Sequence, residues 1–140
     1  MSEQRETQLH HVVFALAPER QAAVAQMLTE LGFSFDSTEL TELGLRIHLD
    51  WNGGVELISA IPGATADVAA SVSEFVKRNG DGVYTVVLRV PQTSAAEAIT
   101  ERYASKIRFR QSISGGGTHL EEIDMSVLGL PLTLLATNIS

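Results

Sequence analysis

The chain has 140 residues, of which 44% are hydrophobic, and its formal net charge is −7 at pH 7; this suits one globular domain or two small fused modules. The acidic balance argues against binding to nucleic acid phosphates, and the absence of cysteine excludes disulfides and thiolate ligands. No apolar run approaches the ~20 residues of a membrane span, so we expect a cytoplasmic protein that binds neither nucleic acid nor membrane.

The first half of the chain shows a β-α-β-β-β succession. A short run of β-branched residues ends at Ala17-Pro18, and Pro18 suits the first turn of a helix. Apolar residues at i, i+3, i+4 and i+7 then predict a helix that ends at Gly32. The strands are predicted at His11–Leu16, Phe33–Ser37, Leu45–Asp50 and Val55–Ile61.

The second half repeats this succession after a connecting helix. Ser94 and Glu97 form a candidate capping box for its own helix. We therefore predict a single domain over 1–140, with module one at 9–61, a linking helix at 65–79 and module two at 83–137. The expected fold class is α+β: two βαβββ modules form one curled mixed sheet with the helices on its convex side. The strands of module two are predicted at Val83–Val90, Lys106–Ser112, His119–Val127 and Leu132–Thr137.

The two halves also correspond at single positions. His11 in "HVVF" corresponds to Thr85 in "TVVL", and Glu56 in "VELISA" corresponds to Thr133 in "LTLLAT". Each change replaces an imidazole or a carboxylate with a hydroxyl. Module one therefore keeps two residues able to bind a metal or move a proton, and module two keeps neither at these positions.

Alternation along the strands predicts a polar inner face, because every second side chain points to the same side of a sheet. Such a face is too polar for a core alone and is typical of a ligand cavity. The alternatives are structural: a hydrogen-bonded surface or core histidine at 11, and an ion pair of Glu56 with Arg46 or His48. The residues predicted on the concave face are His11, Arg46, His48, Glu56, Thr85, Arg89 and Thr133.

From about Leu9 to Thr137 the chain resembles the vicinal oxygen chelate superfamily, which includes glyoxalase I, ring-cleaving dioxygenases and bleomycin-resistance proteins. Within it, the chain most resembles the methylmalonyl-CoA epimerases. The segment over 55–92, with its Glu-Leu strand, connecting helix and "NGDG" turn, is similar to an epimerase segment. "ELGLRIHL" (Glu42–Leu49) is similar to the epimerase segment in which a glutamate precedes Gly-Val-Arg.

The resemblance implies a divalent metal held by the first and last strands of each module, at the positions of His11, Glu56, Thr85 and Thr133. A threonine hydroxyl is a poor ligand for a transition metal. We therefore expect either no cofactor or a divalent metal bound weakly at His11 and Glu56. The resemblance also implies a homodimer, and it aligns Glu42 with a proton-transferring glutamate.

Two functions are hypotheses at this point, and both take a small anionic molecule as partner. The first is an epimerase or isomerase of a small acyl-CoA or an oxo or hydroxy acid, with His11, Glu42 and Glu56 moving the proton. The second is a metal-free protein that sequesters a small molecule, as resistance proteins do. A structural subunit with a vestigial site is a third alternative. The expected substrate-binding residues are Arg46, His48, Thr85, Arg89 and Thr133.

Two further arginines of module two have a structural interpretation. Arg108 and Arg110 alternate along one predicted strand. We interpret them as part of a solvated strand face.

Overall fold

The computed structural model describes residues 6–140, in which eight strands and three α-helices follow the predicted succession. All eight strands belong to one mixed sheet. The predicted α+β fold with two βαβββ modules is therefore confirmed. The strands are β1 (Gln8–Ala15), β2 (Asp36–Leu40), β3 (Leu45–Asp50), β4 (Val55–Ala60), β5 (Gly82–Arg89), β6 (Ser105–Gly115), β7 (Thr118–Val127) and β8 (Leu130–Thr137). The helices are α1 (Gln21–Glu30), α2 (Asp67–Asn79) and α3 (Thr93–Thr100).

The described residues form two compact units, residues 11–84 and residues 85–140 together with residues 6–10. The strand order in module one is β2-β3-β4-β1, in which β1 runs parallel to β4 and the other pairs are antiparallel. Helix α1 packs on one face of these strands. The core under α1 contains Phe14, Leu16, Val24, Ala25, Leu28, Phe35, Val55 and Leu57.

Module two has the equivalent strand order β5-β8-β7-β6, with β5 parallel to β8. The core beside α3 contains the buried residues Val90, Ile123, Met125 and Leu134. In both modules the helix covers one face of the strands. The other face can therefore present polar side chains.

The prediction for β2 was wrong. This strand lies at Asp36–Leu40 rather than at Phe33–Ser37, and all five of its residues are exposed. Phe35 packs in the core under α1, and Phe33 stacks on Phe35 with ring centroids 6.2 Å apart. The two phenylalanines therefore anchor the loop between α1 and β2 to the core. The backbone of the chain pairs with β3 only from Asp36 onwards.

The predicted capping box at Ser94 was also wrong. Helix α3 begins at Thr93, so Ser94 lies inside its first turn, and the N-cap residue Gln92 makes no side-chain capping bond. Glu97 pairs instead with Arg110 of β6. The glutamate is thus used for tertiary packing. Among residues 6–140, no helix is long and apolar enough to cross a membrane.

The turn between β2 and β3 depends on Gly44. Its φ is +68°, and a Cβ atom at this position would lie 2.6 Å from the Cβ of Ala64 and 3.0 Å from that of Ala69 on α2. The carbonyl of Gly44 also accepts a hydrogen bond of 2.7 Å from the backbone N–H of Ile61. Only glycine permits both this backbone conformation and this close approach.

We expect Gly44→Ala to lower the free energy of unfolding by more than Gly63→Ala does. Gly63 also has a positive φ, +82°, but a Cβ atom added there would meet nothing within 4 Å. It therefore reports the backbone strain alone, which is about 1–3 kcal/mol. Urea unfolding of both variants measures the difference. Equal losses would show that the approach to Ala64 costs nothing.

Candidate functional site

Module one contains a pair of the buried His11 and the half-buried Glu56. Their side chains are joined by a hydrogen bond of 2.9 Å between Nε2 and Oε1. A carboxylate can only accept, so Nε2–H is the donor. The His11 side chain is 4% exposed and that of Glu56 is 18% exposed. The carboxylate is thus the member of the pair that a ligand can reach more easily.

Strand register explains how the pair forms. In the parallel pairing of β1 with β4, Val13 lies beside Glu56, and His11 precedes Val13 by two residues on the same face. Val12 and Phe14 lie beside Val55 and Leu57, which face α1. His11 and Glu56 therefore project from the face that α1 does not cover.

Arg46 and His48 do not share this face, and their predicted placement with Glu56 was wrong. His48 lies opposite Leu57, and Leu57 belongs to the core under α1. Glu56 lies opposite Leu49, on the other face of the sheet. The alternation of side chains along β3 correctly separated residues 46, 48 and 50 from residues 45, 47 and 49. It did not reveal which of these two sets faces α1. Arg46 pairs with the carboxylate of Glu39 through a 3.0 Å bond at the surface.

His48 occupies a largely apolar position. The ring of Phe35 meets it edge-on, with centroids 6.2 Å apart, and its Nδ1 atom is buried without a hydrogen-bond partner in the described part of the chain. Burial lowers the pKa of His48 from its usual value, and the neighbouring charge of Arg46 lowers the pKa further. A role in packing fits this environment better than contact with a ligand.

Glu42 also lies away from the pair. It is exposed in the turn between β2 and β3, beside the end of β4 at Ile61. Five residues along β4 separate Ile61 from Glu56, which corresponds to about 16 Å of strand. The structure therefore does not bring Glu42 to His11 and Glu56.

In module two the equivalent positions form a pair of buried hydroxyls. Thr85 is 5% exposed and Thr133 is 2% exposed. Their Oγ1 atoms are 3.0 Å apart. Thr133 lies directly between Val87 of β5 and Asp124 of β7, on the face that α3 does not cover. The two hydroxyls thus bond to each other, and they have a neighbour that the sequence did not indicate.

That neighbour is an ion pair of Asp124 with Arg108. Both bonds from the guanidinium end on Asp124 Oδ1, at 2.6 Å from Nη2 and 3.1 Å from Nε. The Thr133 hydroxyl donates a longer bond of 3.4 Å to the same oxygen. Burial raises the pKa of Asp124, while Arg108 and Thr133 act in the opposite direction.

Arg108 lies at a β-bulge of β6. The register of β6 with β7 shifts between Ile107 and Phe109, so that Arg108 is the extra residue of β6. The bulge breaks the alternation after Arg108, so Arg108 lies on the face of Asp124 while Arg110, opposite Ile123, lies on the face towards α3. The prediction of a solvated strand face was therefore wrong for Arg108, whose side chain is 28% exposed and paired.

Arg89 lies at the end of β5 and borders a cavity of about 300 Å³. One guanidinium nitrogen, Nη2, donates a 2.8 Å bond to the carbonyl of Thr137. The remaining N–H groups of Arg89 have no partner among the described residues, so they can bind an anion in the cavity. The cavity is lined by Glu6, Gln8, Arg89, Val90, Pro91 and Thr137.

The resemblance to the vicinal oxygen chelate superfamily implies metal ligands at four positions, and the side chains there do not fit a divalent metal. These residues are His11, Glu56, Thr85 and Thr133. In module one the Nε2 of His11, a nitrogen able to bind a metal, is engaged by Glu56. In module two the donors are two neutral hydroxyls bonded to each other. No group of three histidine, aspartate or glutamate side chains in residues 6–140 is arranged to hold a metal ion. Tight metal sites need three or four such donors in fixed geometry.

Comparisons with known proteins identify the fold. No protein-family model and no curated protein sequence matches the chain. Among solved structures, methylmalonyl-CoA epimerase from Mycobacterium tuberculosis superposes with a TM-score of 0.65 and 17% identity, over 97% of this chain and 92% of the epimerase. The chain has the vicinal oxygen chelate fold.

Two further structures share this fold. A variant of the Streptomyces coelicolor methylmalonyl-CoA epimerase, in complex with 2-nitronate-propionyl-CoA, gives a TM-score of 0.62 at 16% identity, covering 96% of this chain and 100% of its own. A mutant of 4-hydroxymandelate synthase from the same organism gives 0.68 at 14% identity, covering 95% of this chain and 48% of the synthase. At such identities the likeness establishes the fold and not the activity.

The environment of His48 predicts a pH dependence of stability. Because the folded state holds the pKa of His48 below its usual value of 6.5, the unfolded chain binds this proton first as the pH falls. The free energy of unfolding should therefore decrease from about pH 7 to about pH 5. His48→Gln should remove this part of the slope, and Arg46→Gln should reduce it. Urea unfolding across the range measures it, and an unchanged slope in His48→Gln would contradict the prediction.

Proposed function

We propose that the protein binds a small anionic acyl compound, an acyl-CoA or an oxo or hydroxy acid, and moves a proton at the carbon next to the carbonyl, as an epimerase or isomerase does. The partly buried bond between His11 and Glu56 carries this proposal. An oriented carboxylate with a histidine partner is an arrangement typical of general acid–base catalysis.

Comparison of the two modules indicates that the fold does not require the pair of His11 and Glu56. A buried carboxylate is costly, and a buried ion pair is weak support for stability. Thr133 occupies the corresponding position of module two and is buried there as a hydroxyl. The same strand position therefore tolerates a neutral side chain. The pair in module one is better explained by chemistry than by packing.

Glu56 is the group that takes the proton in this proposal. The C–H bond next to the carbonyl breaks, its proton passes to the carboxylate of Glu56, and the electron pair remains in the enolate. Return of a proton to the same carbon restores the C–H bond in either configuration. His11 keeps the carboxylate in place through its Nε2–H donor, so His11 is the positioning residue.

The class of ligand is supported by one charged group and by the fold. Arg89 has unpaired donors at the edge of its cavity, which favours a carboxylate or a phosphate. Structures with this fold include epimerases in complex with 2-nitronate-propionyl-CoA and with methylmalonyl-CoA. The cytoplasmic location and the homodimer expected from the sequence stay predictions, and sedimentation at micromolar concentration checks the second.

A metal-free binding protein is the second candidate. The observation that favours it is the Thr85–Thr133 pair, which leaves module two with hydroxyls where the resemblance implies metal ligands. Such a protein would bind the same anionic ligand without exchanging its protons. The two candidates therefore differ in a single measurable reaction.

We expect the protein to exchange the acidic C–H proton of methylmalonyl-CoA with solvent deuterium. Glu56→Gln keeps the shape and the hydrogen bond but cannot accept the proton, so exchange should slow by about 100-fold or more. Mass spectrometry of the recovered thioester follows the reaction, with a chelator present throughout. Glu39→Gln, at an exposed carboxylate opposite Arg46, is the matched control. Binding without any exchange would favour the second candidate.

We also expect Arg89→Glu to weaken the binding of acyl-CoA by about tenfold or more, because it replaces a cation with an anion beside the cavity. Arg78→Glu makes the same change of charge on α2, where Arg78 pairs with Glu74 at the surface. Calorimetric titration of each variant with acyl-CoA gives the two affinities. Their difference separates the loss of a contact at Arg89 from the effect of the change in net charge. Equal losses of affinity would show that Arg89 makes no contact of its own with the ligand.

A further inference from the structure

Module one contains three buried polar atoms that have no hydrogen-bond partner among the described residues. They are Oε1 of Gln21, Nδ1 of His48 and Oγ of Ser59. Gln21 is 1% exposed and Ser59 is 0% exposed, so bulk solvent does not reach either side chain. Buried polar groups of folded proteins nearly always have a partner, either in the protein or in an ordered water molecule. Each of these three atoms therefore calls for a partner.

The three atoms belong to side chains that surround one point of the sheet. In the antiparallel pairing of β3 with β4, Arg46 lies opposite Ser59. His48 lies opposite Leu57, two residues further along, so that all four side chains share the face towards α1. The amide nitrogen of Gln21 donates to the carbonyls of Arg46 and Leu57, at 3.0 Å and 3.2 Å. The Gln21 amide therefore lies between the two pairs, with Ser59 and His48 at opposite corners.

The chemistry of these atoms defines the ligand that they need. The two carbonyls use both protons of the Gln21 amide nitrogen, so Oε1 can only accept. A reversed amide would set its oxygen against two carbonyl oxygens, which excludes that orientation. The Ser59 hydroxyl has one proton to donate, and Nδ1 of a neutral histidine either donates or accepts. The ligand must therefore both donate and accept hydrogen bonds.

We propose that one water molecule binds here as a structural ligand that joins α1 to β3 and β4. The water donates one proton to Oε1 of Gln21 and the other to Nδ1 of His48, and it accepts the proton of Ser59. Buried waters typically make about three such bonds. Every hydrogen then has an acceptor. A proton on Nδ1 would leave one hydrogen of the group without an acceptor, so the neutral His48 ring carries its proton on Nε2.

A metal ion is a poor alternative occupant of this site. The hydroxyl of Ser59 and the amide oxygen of Gln21 are neutral, weak ligands for a transition metal. The positive charge of Arg46 is close enough to lower the pKa of His48, and the same charge would repel a cation. The water site also lies on the opposite face of the sheet from His11 and Glu56, so it does not depend on the proposed reaction.

A crystal structure at a resolution that shows ordered water tests the site directly. We expect one water oxygen within about 3.2 Å of all three atoms. A water that bonds to fewer of them, direct bonds among the three side chains, or a metal ion would overturn the inference. Nitrogen-15 NMR at about pH 8, where the lowered pKa keeps His48 neutral, should show a protonated Nε2. A protonated Nδ1 would also overturn it.

A double-variant cycle tests the bridging role in solution by urea unfolding. Ser59→Ala and His48→Phe each remove one partner of the water, so either change alone breaks the network. The double variant should raise the unfolding constant by less than the product of the two single changes, by about threefold or more. Thr29→Ala is the matched control, because this exposed hydroxyl of α1 bonds to the carbonyl of Ala25 and its effect should multiply with that of His48→Phe. An effect of the Ser59 and His48 double variant equal to or larger than the product would overturn the inference.

Discussion

The parallel pairing of β1 with β4 is the constraint on which the chemistry of module one depends. It places Val13 beside Glu56 and thereby brings His11 within 2.9 Å of the same carboxylate, although 45 residues separate the two along the chain. The connection between the parallel strands requires α1, which covers the opposite face. The helix therefore both closes the core and leaves the polar face uncovered.

The same backbone plan supports different chemistry in module two. The strand positions of His11 and Glu56 are occupied there by two hydroxyls, and the charge is moved one strand outward to Asp124. This carboxylate is balanced by Arg108 in place of a histidine. The two modules thus share their strand order but differ in the polar side chains that they carry. This is expected when function resides in side chains and not in the fold.

The sequence was sufficient for the succession of elements and for the two positions that correspond between the modules. It failed where three-dimensional pairing decides the outcome. Alternation separates Arg46 and His48 from Leu49 but cannot tell which set faces α1, because both faces of β3 are partly buried. The bulge at Arg108 has no signal in the sequence.

A signal for Asp124 was nevertheless present. It is a single carboxylate between Ile123 and Met125 in a strand, as Glu56 is between Val55 and Leu57. An acidic residue between two apolar neighbours indicates a buried charge that needs a partner. The partner itself could not be inferred, because the register of β6 on β7 has no signal in the sequence.

His11 and Glu56 are bonded to each other, and we propose that they act without a metal between them. The most direct measurement is the nitrogen-15 NMR spectrum of the His11 imidazole, recorded before and after addition of excess Zn²⁺. We expect a protonated Nε2 in both spectra, with an unchanged chemical shift. Loss of the Nε2 proton, with a shift towards that of a metal-bound nitrogen, would contradict it.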